Sequence, residues 1–158
     1  MAIHPIDYRY GTPEMRAVWS EENRFSCIVR AEAALARAGA DLGLIPPVAA
    51  DLIGKNANQA SLSRAKGIEA EINHDMMAIV KTIAEVCGEA GGWVHYGATS
   101  NDILDTATGL QLKESLAILD AKLRSLLAVL LKRSYETRHL VCAARTHGQI
   151  GVPTTYGL

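Results

Sequence analysis

An all-α fold is the reading this sequence supports, and three observations carry it. Apolar residues recur at three- and four-residue intervals through most of the chain. Ser, Thr and Pro stand where helices would begin, and Gly and Pro where they would end. No stretch shows the apolar–polar alternation of a half-buried strand, and no repeat or low-complexity tract breaks the pattern. The organisation that follows is an N-terminal helical domain over residues 1–99. Residues 100–158 then begin a central helical bundle with one long helix.

Residues 1–12, with Pro5 and Gly11, read as irregular. Thr12-Pro13 opens the first helix, Thr as N-cap and Pro at the first helical position. From Glu14 to about Ala38, Val18, Phe25, Ile28, Val29 and Leu35 share a helical period, which predicts one continuous helix. Gly39 and Gly43 loosen its end, and Pro46-Pro47 stop it. A short helix over 47–54 ends at Gly54, and 56–58 form a loop. Residues 61–72 form a polar helix begun by Ser61 or Ser63. Residues 75–87 form an apolar helix closed by Gly88, Gly91 and Gly92, and 93–99 form a loop. The strongest element runs from Ser100 to about Leu140. Along it Leu112, Leu116, Leu119, Leu123, Leu126 and Leu130 alternate spacings of four and three, a coiled-coil-like seam. At ~1.5 Å per residue this helix is about 60 Å long, more than a compact domain of this size needs, so the seam calls for partners.

Composition narrows the function. The 158 residues carry 16 Lys+Arg against 17 Asp+Glu, a net charge of −1. A general nucleic-acid or membrane-surface binder shows a basic excess, and none is present. Three cysteines, Cys27, Cys87 and Cys142, form no paired framework and read as reduced cytosolic thiols. No apolar run approaches the ~20 residues of a membrane span.

Four segments carry candidate chemistry. Tyr8-Arg9-Tyr10-Gly11 offers a guanidinium fork and hydroxyls suited to a phosphate or carboxylate; the plainer reading is a tail packed on a helix. Glu71-x-x-His74-Asp75 places an imidazole beside a carboxylate just before an apolar helix. Its plainer reading is capping by Asp75 or Asn73. Gly97-Ala98-Thr99-Ser100-Asn101-Asp102 sets two hydroxyls at the start of the long helix, an arrangement suited to an anion. Capping by Ser100 or Asn101 is the alternative. Arg145-Thr146-His147-Gly148-Gln149 follows the long helix and holds His147 outside regular structure, where it can act as general acid or base. His4, His95 and His139 are weaker candidates.

Taken together, RYGTPEM, SEENR, EINHDMMA, VHYGATSNDILDTA and ARTHGQIGVPTTYGL resemble the fumarase/aspartase superfamily and, within it, the adenylosuccinate lyase family. The resemblance covers nearly the whole chain. It implies a purine-biosynthetic lyase that cleaves adenylosuccinate to AMP and fumarate, and SAICAR to AICAR and fumarate, by anti β-elimination. It implies a homotetramer built on long helices, a cytoplasmic location, and no metal or organic cofactor. By the resemblance, His147 is the general acid and His74 the second active-site histidine near the substrate phosphate. Thr99 and Ser100 hold the succinyl carboxylates, and Arg9 and Tyr10 contact the phosphate end. Asp75, Thr146 and Gln149 belong to the same shell. The serine loop that supplies the family's general base, of the form SSxMPxKxNP, is absent from these residues. The abrupt end at Leu158 therefore reads as truncation, and the chain by itself as inactive.

Other readings stay open. Within the superfamily, 3-carboxymuconate cycloisomerase is the nearest alternative. A ferritin-like di-iron bundle is the rival from outside it, with Glu71/His74 and Glu136/His139 as Glu-x-x-His pairs and Glu32 and Glu114 as further ligands. A helical module that only oligomerises through the leucine seam is a third.

Overall fold

A computed structural model describes residues 9–158. The expectations placed on His4, Pro5 and Tyr8 lie outside the described residues. Helix α1 spans Pro13–Val18, with Thr12 Oγ1 accepting the Met15 N–H. The chain then breaks, where a single helix was expected from Glu14 to Ala38. Ser20 explains the break. It is extended (φ −68°, ψ 156°), and its Oγ accepts the Asn23 N–H to start a new helix, α2, Glu21–Asp41. The same hydroxyl donates to the Ala17 carbonyl and so closes the helix before it.

Helix α3 spans Pro47–Asn56 and runs through Gly54, followed by a short 3₁₀ turn at Ala57–Gln59 where a loop was expected. Helix α4, Leu62–Ile72, is capped by Ser61. Helix α5, Asp75–Cys87, leads into a 3₁₀ segment at Gly88–Trp93. Helix α6 spans Ser100–Thr137. The end of the chain departs from an all-helical reading. Strands β1 (Val141–Thr146) and β2 (Gln149–Thr155) pair antiparallel as a hairpin. Between Arg145↔Ile150 and Ala143↔Pro153, two residues of β2, Gly151 and Val152, face one of β1, a bulge that admits Pro153 into the strand.

By its contacts the chain divides into two units within α6, one ending at Ser115 and one beginning at Leu116. The first unit holds the core. Ile28, Ile53, Met76 and Ile83 are fully buried, each burial worth about 2 kcal/mol before chain entropy is charged against it. Gly39 permits a close approach at the α2–α3 turn: a Cβ there would meet the Ile45 side chain at 2.7 Å. The start of α6 joins this core through Ile103, Ala107, Gln111 and Ser115, one stripe at four-residue spacing. Gln111 Nε2 donates to the Val18 carbonyl at 2.8 Å. Asn23 and Arg30 both donate to Glu114. Arg64 ties α4 to α5 by two bonds to Glu85, 2.6 and 2.9 Å.

The second unit is different in kind. Leu116, Leu119, Leu123, Leu126, Leu127, Leu130 and Leu131 are all exposed on α6. The hairpin returns to the last turn of the helix, with Tyr156 N–H donating to Leu140 C=O and Ser134 Oγ to Gly157 C=O. All three cysteines are free; Cys27 and Cys87 are buried, which pushes their thiols up. Among the described residues no helix is long and apolar enough to cross a membrane.

Candidate functional site

The α4–α5 junction places His74. Asn73 ends α4 in the left-handed region (φ 54°), and His74 follows in extended conformation as the N-cap of α5. Its own Nδ1 accepts the Met77 N–H at 3.2 Å. The plainer reading of this segment had Asp75 or Asn73 as the cap with His74 beside it; the imidazole itself does the capping. An Nδ1 used as acceptor puts the proton of the neutral ring on Nε2. The ring is half exposed, so an Nε2–H donor remains for a ligand. Asp75 Oδ1 accepts the Met76 N–H at 2.7 Å and lies 3.8 Å from His74 Nδ1. Asp75 also lines a cleft of about 240 Å³ with Arg24, Lys66 and Glu69.

The start of α6 places Thr99 and Ser100. Asp102 reaches back, its Oδ2 accepting the Thr99 N–H at 2.9 Å, while Asp102 N–H bonds to Thr99 C=O. This is half of a capping box, closed by a carboxylate three residues into the helix. Ser100 and Asn101, the caps of the alternative reading, make no such bond among the described residues. Among the described residues, no hydrogen bond engages the hydroxyl of Thr99 or of Ser100.

The loop before α6 and helix α2 are joined by a pair that sequence reasoning missed. Glu32, on α2, is the only charged side chain buried among the described residues. Its Oε2 accepts the His95 N–H at 3.0 Å, and its Oε1 lies 2.6 Å from His95 Nδ1. Burial pushes the Glu32 carboxyl up, and the hydrogen bonds and charge of His95 oppose that rise. A signal was available: Phe25, Ile28, Val29, Glu32 and Ala36 form one buried stripe, so the acid stands on an apolar helix face.

The hairpin places Thr146, His147 and Gln149. Thr146 pairs with Gln149 across a two-residue turn of His147 (φ 48°) and Gly148 (φ 75°). Two successive positive φ values define a type I′ turn, which matches strand twist. His147 is therefore the tip of a hairpin rather than a residue of an irregular loop, and it is exposed.

Arg9 and Tyr10 precede α1, and Tyr10 is exposed. Thus His74 adjoins Asp75, Thr99 adjoins Ser100, and Thr146, His147 and Gln149 share one tip. No hydrogen bond or ion pair among the described residues joins one of these groups to another. Three of the six residues of the di-iron alternative have other partners: Glu32 holds His95, Glu114 holds Asn23 and Arg30, and Glu136 pairs with Arg133.

Comparison with known proteins adds a second line of evidence. The model of a family described as "Lyase" matches residues 7–158. The adenylosuccinate lyase of Methanocaldococcus jannaschii is 53% identical over 100% of this chain, and that of Pyrococcus abyssi 56% identical over 100%. The N-acetyl-S-(2-succino)cysteine lyase of Dickeya dadantii is 43% identical over 99%. The chain spans about a third of the length of these relatives, 35% to 36%. Among solved structures, the fumarate lyase from Mesorhizobium sp. BNC1 superimposes with a TM-score of 0.85 at 34% identity, over 94% of this chain and 36% of that one.

Proposed function

The chain belongs to the lyase family of the fumarase/aspartase superfamily, and on that premise we propose that it supplies part of the active site of a cytoplasmic adenylosuccinate lyase. The reaction is the release of fumarate from adenylosuccinate, and from SAICAR, by anti β-elimination. A base takes the proton β to the departing nitrogen, and the electron pair it leaves is delocalised into the adjoining carboxylate. The C–N bond then breaks and the nitrogen takes a proton from a general acid.

In this reading His147 is the acid, with Thr146 and Gln149 beside it on the hairpin tip. Thr99 and Ser100 hold the succinyl carboxylate where charge develops, with the helix N-terminus behind them. His74 offers its Nε2–H, and Asp75, Arg9 and Tyr10 serve the nucleotide end. The observation that carries the reading is the start of α6. Asp102 satisfies the Thr99 N–H, and no bond within the described residues draws on the hydroxyls of Thr99 and Ser100. A purely structural cap would use at least one of them.

The proposed division of labour is a helical domain over residues 1–99 and a bundle domain from residue 100, whose exposed leucine face on α6 packs on other copies in a homotetramer. The general base lies outside these residues, so the chain alone releases no fumarate.

The test is a chimera in which this chain replaces the matching third of the Methanocaldococcus jannaschii relative. It is assayed for fumarate from adenylosuccinate and from N-acetyl-S-(2-succino)cysteine. Fumarate from adenylosuccinate supports the proposal. Fumarate from the thioether alone overturns the nucleotide assignment, and a folded chimera inactive on both overturns the lyase reading.

A further inference from the structure

We propose that Glu32 is a positioning residue of this site: its buried carboxylate fixes His95 as the Nδ1–H tautomer and leaves Nε2 as a hydrogen-bond acceptor on the loop leading to Thr99 and Ser100. The proposal rests on the reading of Thr99 and Ser100 as part of the site.

Three observations carry it. First, a carboxylate with 0% exposed side chain on the apolar face of α2 is expensive in place of an apolar residue, and packing alone gives no reason to keep it. Second, both oxygens go to one residue. Oε2 takes the backbone N–H of His95 and Oε1 faces its ring Nδ1. The clamp sets the direction of the main chain and of the imidazole together. Third, the clamped residue is in the left-handed region (φ 65°), Gly97 follows at φ 78°, and Ala98 N–H turns back to His95 C=O. The path from His95 to Thr99 is thus a tight turn anchored at one end by Glu32 and at the other by the first turn of α6.

A carboxylate can only accept, so Nδ1 carries the proton and Nε2 of the neutral ring carries the lone pair. The ring is 14% exposed, so one edge reaches the surface. His74 is the reverse case. Its Nδ1 is the acceptor at a helix start, and its Nε2 carries the proton. The two imidazoles therefore offer opposite hydrogen-bonding character, a donor at His74 and an acceptor at His95. Through Nε2, the neutral His95 ring can pair only with a hydrogen-bond donor, such as a sugar hydroxyl or an amine N–H.

The experiment reads ring ¹⁵N shifts of histidine-labelled chain by NMR, with no substrate present, at a pH well above the ordinary imidazole range. Failure of the substrate assignment therefore leaves this result untouched. Wild-type His95 is expected to show a protonated Nδ1 and a bare Nε2, and His74 the opposite. In Glu32→Gln the side-chain amide can accept the His95 N–H and donate to Nδ1, so the His95 tautomer should invert while His74 does not change. In Glu32→Leu, which keeps the bulk and removes both bonds, amide exchange at Gly97, Ala98, Thr99 and Ser100 should accelerate by about tenfold or more, with α5 core amides unchanged. A wild-type His95 with Nε2–H, an unaltered tautomer in Glu32→Gln, or unchanged exchange in Glu32→Leu overturns the proposal. The wild-type spectrum decides the tautomer even if a variant fails to fold.

Discussion

Replacing Gly157 by Ala should loosen the hairpin that carries His147. Gly157 has no positive φ, so alanine's backbone preferences are not the obstacle. The obstacle is steric. A Cβ at this position would lie 2.6 Å from Arg138 Cα and 2.7 Å from Arg138 N, and would also press on the Ser134 carbonyl. These are backbone atoms of the last turn of α6 and of the residue just after it, and unlike the end of a long side chain they cannot swing aside. The end of the hairpin must lift instead. Lifting gives up the Ser134–Gly157 hydrogen bond, worth about 1 kcal/mol, and relieving the overlap costs about 1–3 kcal/mol. Local detachment caps the total, so about 2 kcal/mol is a reasonable central figure, or roughly 30-fold in the local opening equilibrium. Amide hydrogen exchange over residues 139–158 reads this directly, because Tyr156 N–H bonds to Leu140 C=O and Val141 pairs with Thr155. Protection within about twofold of wild type would show that the close approach of Gly157 does not hold the hairpin to the helix.

Two further substitutions test the packing of the first unit. Burial raises the Glu32 carboxyl above its ordinary value near 4.5. The native state then holds that proton more tightly than the unfolded chain does. The associated stability is complete below about 4.5 and is lost as pH rises through the folded value. Glu32→Gln has no such proton, so wild-type stability relative to the variant should fall from acid toward neutral pH; urea melts at stepped pH giving parallel curves would contradict this. Ser115 Oγ is buried without a hydrogen-bond partner among the described residues. Ser115→Ala should therefore raise stability by about 1 kcal/mol, seen as a higher urea midpoint at unchanged slope, and a comparable loss would show that the hydroxyl is satisfied.

Much of the fold was legible in the sequence because its helices are marked at their ends. Thr12-Pro13, Ser61 and the α5 boundaries at Asp75 and Cys87 stand where capping chemistry puts them. The break at Ser20 was hidden because Val18 and Phe25 keep a helical period across it. Periodicity reports which faces are buried, and a capping hydroxyl can interrupt the backbone without disturbing that pattern. The hairpin was hidden for a different reason. In β1 the half-buried Cys142 and Ala144 alternate with exposed Val141 and Ala143, which are apolar too, so no apolar–polar alternation shows; Pro153 argues against a strand in β2 unless a bulge is foreseen. His-Gly at a type I′ turn was its one local signal.

The candidate residues were legible as short polar clusters, but their local chemistry was not. That His74 caps through Nδ1, and that Asp102 rather than Ser100 closes the start of α6, depends on side-chain rotamers the sequence does not specify. The Glu32–His95 pair joins residues 63 apart in the chain, a separation no local pattern bridges.

In the proposed function these residues carry the acid side of a fumarate-releasing elimination. The most direct test is the effect of His147→Ala on kcat for adenylosuccinate in the chimera. Loss of a positioned general acid predicts a fall of roughly 10²–10⁴-fold, with secondary structure and assembly unchanged. A kcat within about twofold of the unsubstituted chimera would contradict the assignment of His147.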